Sequence, residues 1–228
     1  MILERLYPGP VESIDGDDRD RLLELYRPPR AEWLRLNLVA SVTGAAIGSD
    51  GTSETLSNRA DRRILGVIRE LADVVLIGAQ TLRTEAYLQP RRSRLAIVTF
   101  SGNLARHQLT DAAPIVLCPP TAADRVLADL PGAEIIELAP VADTLPPGAV
   151  IAALRERGHA SVVCEGGPSL AAQLIDAGLA DEFCLATSPR VGGSPFALTG
   201  PGTIAERAVS LAQLLRDESS GLYARWTF

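Results

Sequence analysis

Short apolar segments that alternate with helical patterns are the feature that most limits how this chain can fold. VVLIG at residues 74–78 and IVLC at residues 115–118 contain no charged residue. Continuous apolar runs of this length are typical of strands buried on both faces of a parallel sheet. Helical patterns lie between such runs, at the spacing of βαβ units. The sequence therefore predicts an α/β fold with a mostly parallel central sheet flanked by helices.

The remaining predicted elements follow the same alternation. Further strands are predicted at residues 34–42, 95–100, 134–138, 161–166, 182–187 and 222–228, the last two near the end of the sheet. Helices are predicted from a cap at Ser57 or Asn58 to Ala72, and over residues 122–130, 150–157 and 169–177. Residues 1–30 are rich in Asp, Arg and Pro, and we expect them to form an N-terminal extension on the surface. Residues 31–228 then form one domain.

Composition excludes several classes of protein. Of the 228 residues, 46% are hydrophobic, which is enough for a substantial core and too many for a disordered chain. The net charge of −6 has the wrong sign for a protein that binds nucleic acid through its phosphates. All 22 basic residues are Arg, so chemistry that needs a lysine amine is excluded.

The sequence also predicts the location of the protein in the cell and the redox state of its cysteines. No apolar run approaches the length of a membrane span, and acidic residues stand where a secretory peptide would be apolar, so we expect a cytoplasmic protein without membrane contact. Cys118, Cys164 and Cys184 are odd in number and lie among apolar neighbours, which predicts reduced thiols in the core. With only two His residues, no metal site is expected.

Three strand ends carry residues suited to ligand binding. The segment EGGPS at residues 165–169 joins a strand to a helix, and such a turn aims backbone N–H groups at an anion. A steric requirement for glycine at a tight turn explains the same residues equally well. ASVTG at residues 40–44 and GAQTLRTE at residues 78–85 also follow apolar strands, although turn hydrogen bonds and a surface ion pair are their simpler explanations. Together the three favour one long phosphorylated ligand across several strand ends.

These segments resemble the pyrimidine reductase of bacterial riboflavin biosynthesis, which is often fused behind a deaminase and has a dihydrofolate-reductase-like fold. The motifs, in order, are NLVASVTG (37–44), DGTSETLS (50–57), ADRRIL (60–65) with Arg69, VLIGAQTLR (75–83), VCEGGPSL (163–170) and PRVGG (189–193). The resemblance extends from Trp33 to the C-terminus.

The resemblance implies NADPH as the cofactor, a phosphorylated pyrimidine as the substrate and a homodimer. The residues at the family's cofactor positions are Val39, Thr55, Thr81, Ser101, Gly166, Gly167, Pro168, Ser169 and Leu170. The residues at its substrate positions are Ser53, Arg69, Arg91 or Arg92, and Glu165. Glu85 stands where the family usually has an Asp beside both ligands, and it is the candidate catalytic residue. A carboxylate at the rim without a proton role is an equally good explanation of Glu85.

The implied reaction transfers hydride from the nicotinamide to the sugar C1 of a phosphoribosylamino-pyrimidine. The deaminase pattern of H-x-E with P-C-x-x-C is absent from this sequence. The chain also departs from the family in carrying Thr43 where an Asp is common, and Glu85 for Asp. Two alternatives therefore stay open: a dihydrofolate or other pteridine reductase on the same fold, and a nucleotide-binding relative that has lost turnover.

Overall fold

A computed structural model describes residues 1–85, 89–105, 107–109, 113–194, 197–200 and 204–228. Its strands are β1 (Ile2–Tyr7), β2 (Glu12–Asp15), β3 (Trp33–Ser41), β4 (Val74–Gly78), β5 (Arg94–Val98), β6 (Ile115–Cys118), β7 (Glu134–Glu137), β8 (Ser161–Cys164), β9 (Glu182–Ser188), β10 (Ser210–Asp217) and β11 (Leu222–Thr227). Its α-helices are α1 (Arg19–Tyr26), α2 (Arg59–Glu70), α3 (Ala79–Thr84), α4 (Ala123–Asp129), α5 (Pro147–Arg155) and α6 (Pro168–Asp176).

The strands form a single sheet in the order β2-β1-β10-β11-β9-β3-β8-β4-β5-β6-β7. From β9 to β7 every neighbouring pair is parallel, whereas the pairs from β2 to β9 are antiparallel. The predicted α/β class with a mostly parallel sheet is confirmed. Because parallel strands end at the same edge, the segments after β3, β4, β5 and β8 meet there.

Helices cover both faces of the sheet, and alternate residues of each strand supply the two cores. In β4, Val75 and Ile77 pack with α2, α3 and α4, whereas Val74 and Leu76 pack with α5 and α6 on the opposite face. This burial on both faces explains why the parallel strands contain continuous apolar sequence. The three cysteines are buried and free, as predicted.

Helix α2 begins where the sequence predicts it. Asn58 is its N-cap, and the Asn58 side chain accepts a hydrogen bond from the backbone N–H of Asp61. Ala60, Ile64, Val67 and Ile68 form the buried stripe that fixes this helix against the sheet. The opposite side of α2 remains available to line a cavity or to face solvent.

The expectation that residues 1–30 form a surface lead-in is wrong. Strands β1 and β2 extend the sheet, and α1 packs beside α2. Leu3, Leu22 and Tyr26 are buried in the core that also contains α2. The sequence pattern did not indicate β1 and β2, because each of these antiparallel strands buries only one side chain. The boundary at residue 30 stays a prediction.

The placement of the last two strands near the end of the sheet is also wrong. Strand β9 pairs with β3, and β11 lies between β9 and β10, so both are interior strands. Strand β2 forms this edge instead, followed by β1 and β10. None of the described helices is long and apolar enough to cross a membrane.

Candidate active site

A cavity of about 1310 Å³ opens where the parallel strands end. Its walls come from the end of β3, from α2 and α3, from the segment after β5, and from the turn between β8 and α6. A pocket for one small ligand usually encloses about 300 to 1,000 Å³. This cavity therefore has room for two ligands side by side.

The turn between β8 and α6 forms a glycine-lined corner of the cavity. The backbone N–H of Gly78 donates to the carbonyl of Gly166 over 2.8 Å, which joins the ends of β4 and β8. Gly166 has a φ of +100°, a conformation that L side chains rarely adopt. A Cβ on Gly167 would lie 3.1 Å from the Thr81 hydroxyl. The close packing leaves backbone, rather than a side chain, facing the ligand space.

Helix α6 starts at this corner with Gly167 as its N-cap, and no side chain caps it. Its first turn, Pro168 to Leu170, lines the cavity. A helix start without a side-chain acceptor places N–H groups and the positive end of the helix dipole at the surface. That arrangement suits the phosphate groups of a dinucleotide.

Ser53 and Glu85, predicted from separate motifs, are in direct contact. The backbone N–H of Ser53 donates to Glu85 Oε1 over 3.0 Å, and both residues line the cavity. Burial raises the pKa of Glu85 above its usual range, while hydrogen bonds from Ser53 partly oppose that rise. The negative charges of Asp50 and Glu54 raise this pKa further. Glu85 is thus a half-buried carboxyl group that holds its proton to a higher pH than an exposed Glu.

Arg69 and Glu165 form a second pair at the cavity wall. Arg69 Nε and Nη2 donate to the two carboxylate oxygens of Glu165, each over 2.6 Å. The Glu165 side chain is 7% exposed and the Arg69 side chain 21%. A two-bond pair of this kind holds both groups in fixed positions. Both residues were predicted to contact substrate, and the structure brings them together at the cavity.

Arg91 and Arg92 do not line the cavity. They precede β5, at the amino end of a parallel strand, whereas the cavity lies at the carboxyl ends. Arg92 is 66% exposed and pairs with Glu70. Both residues also precede the strand predicted at residues 95–100, so the order of the sequence agrees with this placement. Their placement gives no support to a role in substrate binding.

Most predicted cofactor residues border the cavity, with two exceptions. Val39, Thr81, Ser101, Gly167, Pro168, Ser169 and Leu170 are cavity-lining. Thr55 is not, because the loop after β3 folds around Asp50, whose carboxylate accepts hydrogen bonds from Thr52 and Thr55. Gly166 does not line the cavity, and a Cβ at this position would lie 3.2 Å from the Leu38 side chain.

Thr43, which stands where the family commonly has an Asp, lies away from the cavity. Thr43 Oγ1 accepts a hydrogen bond from the backbone N–H of Gly192 over 2.9 Å, which ties the loop after β3 to the loop after β9. Thr43 is exposed and does not line the cavity. The Thr hydroxyl therefore holds two loops together, and the missing carboxylate leaves the described cavity walls unchanged.

Asp61 is a charged residue of the cavity wall that the sequence motifs did not indicate. Asp61 and Arg69 lie on the same side of α2, two helical turns apart, and that spacing is the signal that would have revealed Asp61. Arg83 also lines the cavity, and it donates to the Asn103 carbonyl and to Gln80, each over 2.6 Å. Within the described residues, no three His, Cys, Asp or Glu side chains form a possible metal site.

Comparison with known proteins identifies the family. Residues 32–220 match the family described as RibD C-terminal domain. This chain is a member of the RibD C-terminal domain family. Riboflavin biosynthesis protein RibD of Mycobacterium tuberculosis is 30% identical over 196 residues, which cover 86% of this chain and 50% of that protein. The chain thus spans about half the length of the curated relatives it matches.

Solved structures of similar fold carry related descriptions. A pyrimidine reductase-like protein from Corynebacterium diphtheriae has a TM-score of 0.76 at 21% identity, over 90% of this chain and 98% of that one. A Thermotoga maritima protein, described as a phosphoribosylaminopyrimidine deaminase and reductase, has a TM-score of 0.68 at 18% identity, over 90% and 57%. The predicted family is confirmed, and these structures share the fold of this chain.

Proposed function

We propose that this RibD C-terminal domain protein is a reductase of riboflavin biosynthesis that reduces 5-amino-6-(5-phosphoribosylamino)uracil with NADPH. One observation carries the proposal: the glycine corner, the Ser53–Glu85 contact and the Arg69–Glu165 pair all border one cavity. A hydride donor and an acceptor held there would lie next to each other. Alignment of this kind is the protein's main contribution to cofactor chemistry.

The residues present fit a phosphorylated dinucleotide. The backbone at Gly167 and the first turn of α6 offer donors for the pyrophosphate. Ser101 and Arg83 line the cavity near the end of β5 and would meet a further phosphate on the adenosine. When bound, the nicotinamide would supply the hydride, and the walls would hold it beside the substrate and exclude water.

The second ligand lies between α2 and the Ser53–Glu85 contact. Arg69, fixed by Glu165, offers a guanidinium for the substrate phosphate, and Ser53 a hydroxyl. In the proposed reaction a C1–H bond forms by hydride transfer, the bond from C1 to the ring oxygen breaks, and that oxygen gains a proton. We assign the donation of this proton to Glu85. We further propose that the protein is cytoplasmic and forms a homodimer. Light scattering on the purified chain would test the dimer.

Turnover tests this function directly. We expect saturable oxidation of NADPH in the presence of the phosphoribosylamino-uracil, measured as the loss of absorbance at the nicotinamide band. We expect no oxidation with dihydrofolate. Oxidation with dihydrofolate instead would identify the pteridine alternative. Binding of NADPH without oxidation on either compound would favour the relative without turnover.

The glycine corner makes a separate prediction about the cofactor. Gly167→Ala is expected to raise the Kd for NADPH about tenfold, because overpacking costs about 1 to 3 kcal/mol and the new methyl group would press on Thr81. Isothermal calorimetry measures this change. The matched control is Gly148→Ala at the start of α5, where a Cβ meets open space and no change in Kd is expected. Equal affinities for the Gly167 variant and the unchanged chain would place the dinucleotide elsewhere.

A further inference from the structure

Asp61 is a charged group of the cavity wall that the proposed reaction does not use. It lies in the first turn of α2 and lines the cavity together with Leu65 and Arg69. At the rise of an α-helix, the backbone of Asp61 is about 12 Å from that of Arg69 along the axis. Arg62 lines the cavity as well, but its guanidinium pairs with Glu54. Apart from that neutralised pair, this side of α2 presents an anion at Asp61, a cation at Arg69 and the apolar Leu65 between them.

One carboxylate oxygen of the Asp61 side chain is held by a hydrogen bond. Ser57 Oγ donates to Asp61 Oδ2 over 2.7 Å, and the Asn58 side chain fixes the Asp61 backbone. Behind Asp61 lies a water-sized cavity of about 10 Å³, whose walls include Asn58, Ser188 and Tyr223. Among the described residues, the hydrogen bond to the Asp61 carboxylate goes to Oδ2 and none goes to Oδ1. One carboxylate oxygen is thus anchored and the other remains available to a ligand.

A ligand that fits this side of α2 carries an anionic group at one end and hydrogen-bond donors at the other. A carboxylate oxygen accepts hydrogen bonds from N–H and O–H groups and repels phosphate. The substrate of the proposed function has this polarity, because its phosphate and its amino-substituted pyrimidine lie at opposite ends. A role in the first turn of α2 alone would not require Asp61 to line the cavity.

We propose that Asp61 recognises the aminopyrimidine end of the substrate, accepting a hydrogen bond from a ring N–H or amino group through Oδ1. This inference rests on the proposed function and names a specificity-determining residue for it. Arg69 holds the phosphate two turns away, so the pair fixes the direction in which the substrate lies. The carboxylate also disfavours ligands that present only acceptors at this end.

The test compares Asp61→Asn with the unchanged chain in steady-state turnover of the phosphoribosylamino-uracil. The amide cannot provide the same charged acceptor, so the KM for this substrate is expected to rise about tenfold. The KM for NADPH is expected to stay within about twofold, because Asp61 lies on the substrate side of the cavity. Asp61→Glu keeps the charge and is expected to recover part of the lost affinity.

Glu70→Gln is the matched control, since Glu70 belongs to the same helix, pairs with Arg19 and Arg92, and does not line the cavity. It should leave both KM values unchanged. A purely structural role for Asp61 would lower the melting temperature or raise both KM values together, and either result without a selective rise for the pyrimidine overturns the inference. Calorimetric titration with the pyrimidine gives the same comparison without turnover.

The pH dependence adds a second readout. Burial raises the pKa of Asp61, and the hydrogen bond from Ser57 opposes that rise. Of the charged groups nearby, Arg62 lowers this pKa and Glu165 and Asp217 raise it, while Tyr223 carries no charge at neutral pH. Because only the ionised form is a full acceptor, substrate KM should increase as pH falls through this pKa, and Asp61→Asn should lack that increase. An identical profile in both proteins contradicts the proposal.

The failure of this inference is distinct from the failure of the proposed function. If the unchanged chain reduces the phosphoribosylamino-uracil and Asp61→Asn binds it equally well, only the role of Asp61 is wrong. If the unchanged chain neither binds nor reduces this compound, the proposed function fails and the inference fails with it.

Discussion

Glu85→Gln is expected to lower kcat for the phosphoribosylamino-uracil about 100-fold, while the Kd for NADPH stays within about threefold. General acid–base groups contribute about 10²- to 10⁴-fold to rate, and the lower figure suits a carboxyl that is only half-buried. The amide keeps the size of Glu85, so the active-site shape is preserved. It cannot deliver a proton to the sugar ring oxygen. Stopped-flow measurement of NADPH oxidation would separate this chemical step from binding.

The pH profile tests the role of the proton itself. Burial, reinforced by the charges of Asp50 and Glu54, raises the pKa of Glu85 despite the hydrogen bonds from Ser53. A general acid is active when protonated, so kcat should fall as pH rises through this raised pKa. The Gln variant should show no such fall. Burial thereby extends the active range of Glu85 toward neutral pH.

Glu137→Gln provides the control for Glu85. Glu137 is exposed, ends the edge strand β7 and lies outside the cavity lining, so its replacement should leave kcat unchanged. A Glu85→Gln variant that retains kcat within about threefold would contradict the proton role. Glu85 would then be a rim carboxylate that only orients Ser53.

The parallel half of the fold could be predicted because its elements carry strong local signals. Asn58 before the stripe of α2 identified the start of that helix, and VVLIG and IVLC marked β4 and β6 at their observed bounds. The antiparallel edge lacked such signals. Strand β10 reads SLAQLLRD, in which apolar residues occur in adjacent pairs rather than in alternation, so its place in the sheet depends on the pairing with β1 and β11.

The site was predictable where function depends on local backbone and much less where it depends on long-range pairing. The glycine turn before α6 is a local feature, and the structure places Gly167 at the cavity as expected. The contact between Arg69 and Glu165 joins residues 96 positions apart, which no spacing rule reveals. Arg91 and Arg92 were assigned to the substrate through the family resemblance, and they precede β5, outside the cavity lining. Their role stays a prediction that this geometry does not support.

A buried charge cluster fixes the N-terminal segment to the sheet. Glu182, at the start of β9, is 0% exposed and accepts hydrogen bonds from Trp33, Arg35 and Arg225. Arg35 Nη2 also donates to the Tyr26 carbonyl over 2.6 Å, and Arg225 donates to the Leu25 carbonyl. These two carbonyls belong to the last turn of α1, where helix acceptors lack partners. The cluster therefore ends α1 and holds it against β3 and β11.

Glu182→Gln is expected to lower the free energy of unfolding by about 3 to 5 kcal/mol, the usual cost of leaving a buried charge without its partner. Two guanidinium groups, on Arg35 and Arg225, would then share the site without a counter-ion. Urea unfolding measures the change. Glu4→Gln is the matched control, since Glu4 pairs with Arg216 between two strands at the surface and its loss should cost less than about 1 kcal/mol.

Acid should reduce the difference between the unchanged chain and Glu182→Gln. Burial by itself would raise the pKa of Glu182, but Arg35, Arg225 and Trp33 together outweigh burial and hold this pKa below its usual range. A carboxyl whose pKa is lowered on folding contributes stability above its unfolded pKa and loses that contribution as pH falls through the folded pKa. The two unfolding free energies should therefore converge as pH falls from neutral. A gap that stays constant down to the acid transition would show that the charge of Glu182 is not what stabilises the docking of α1.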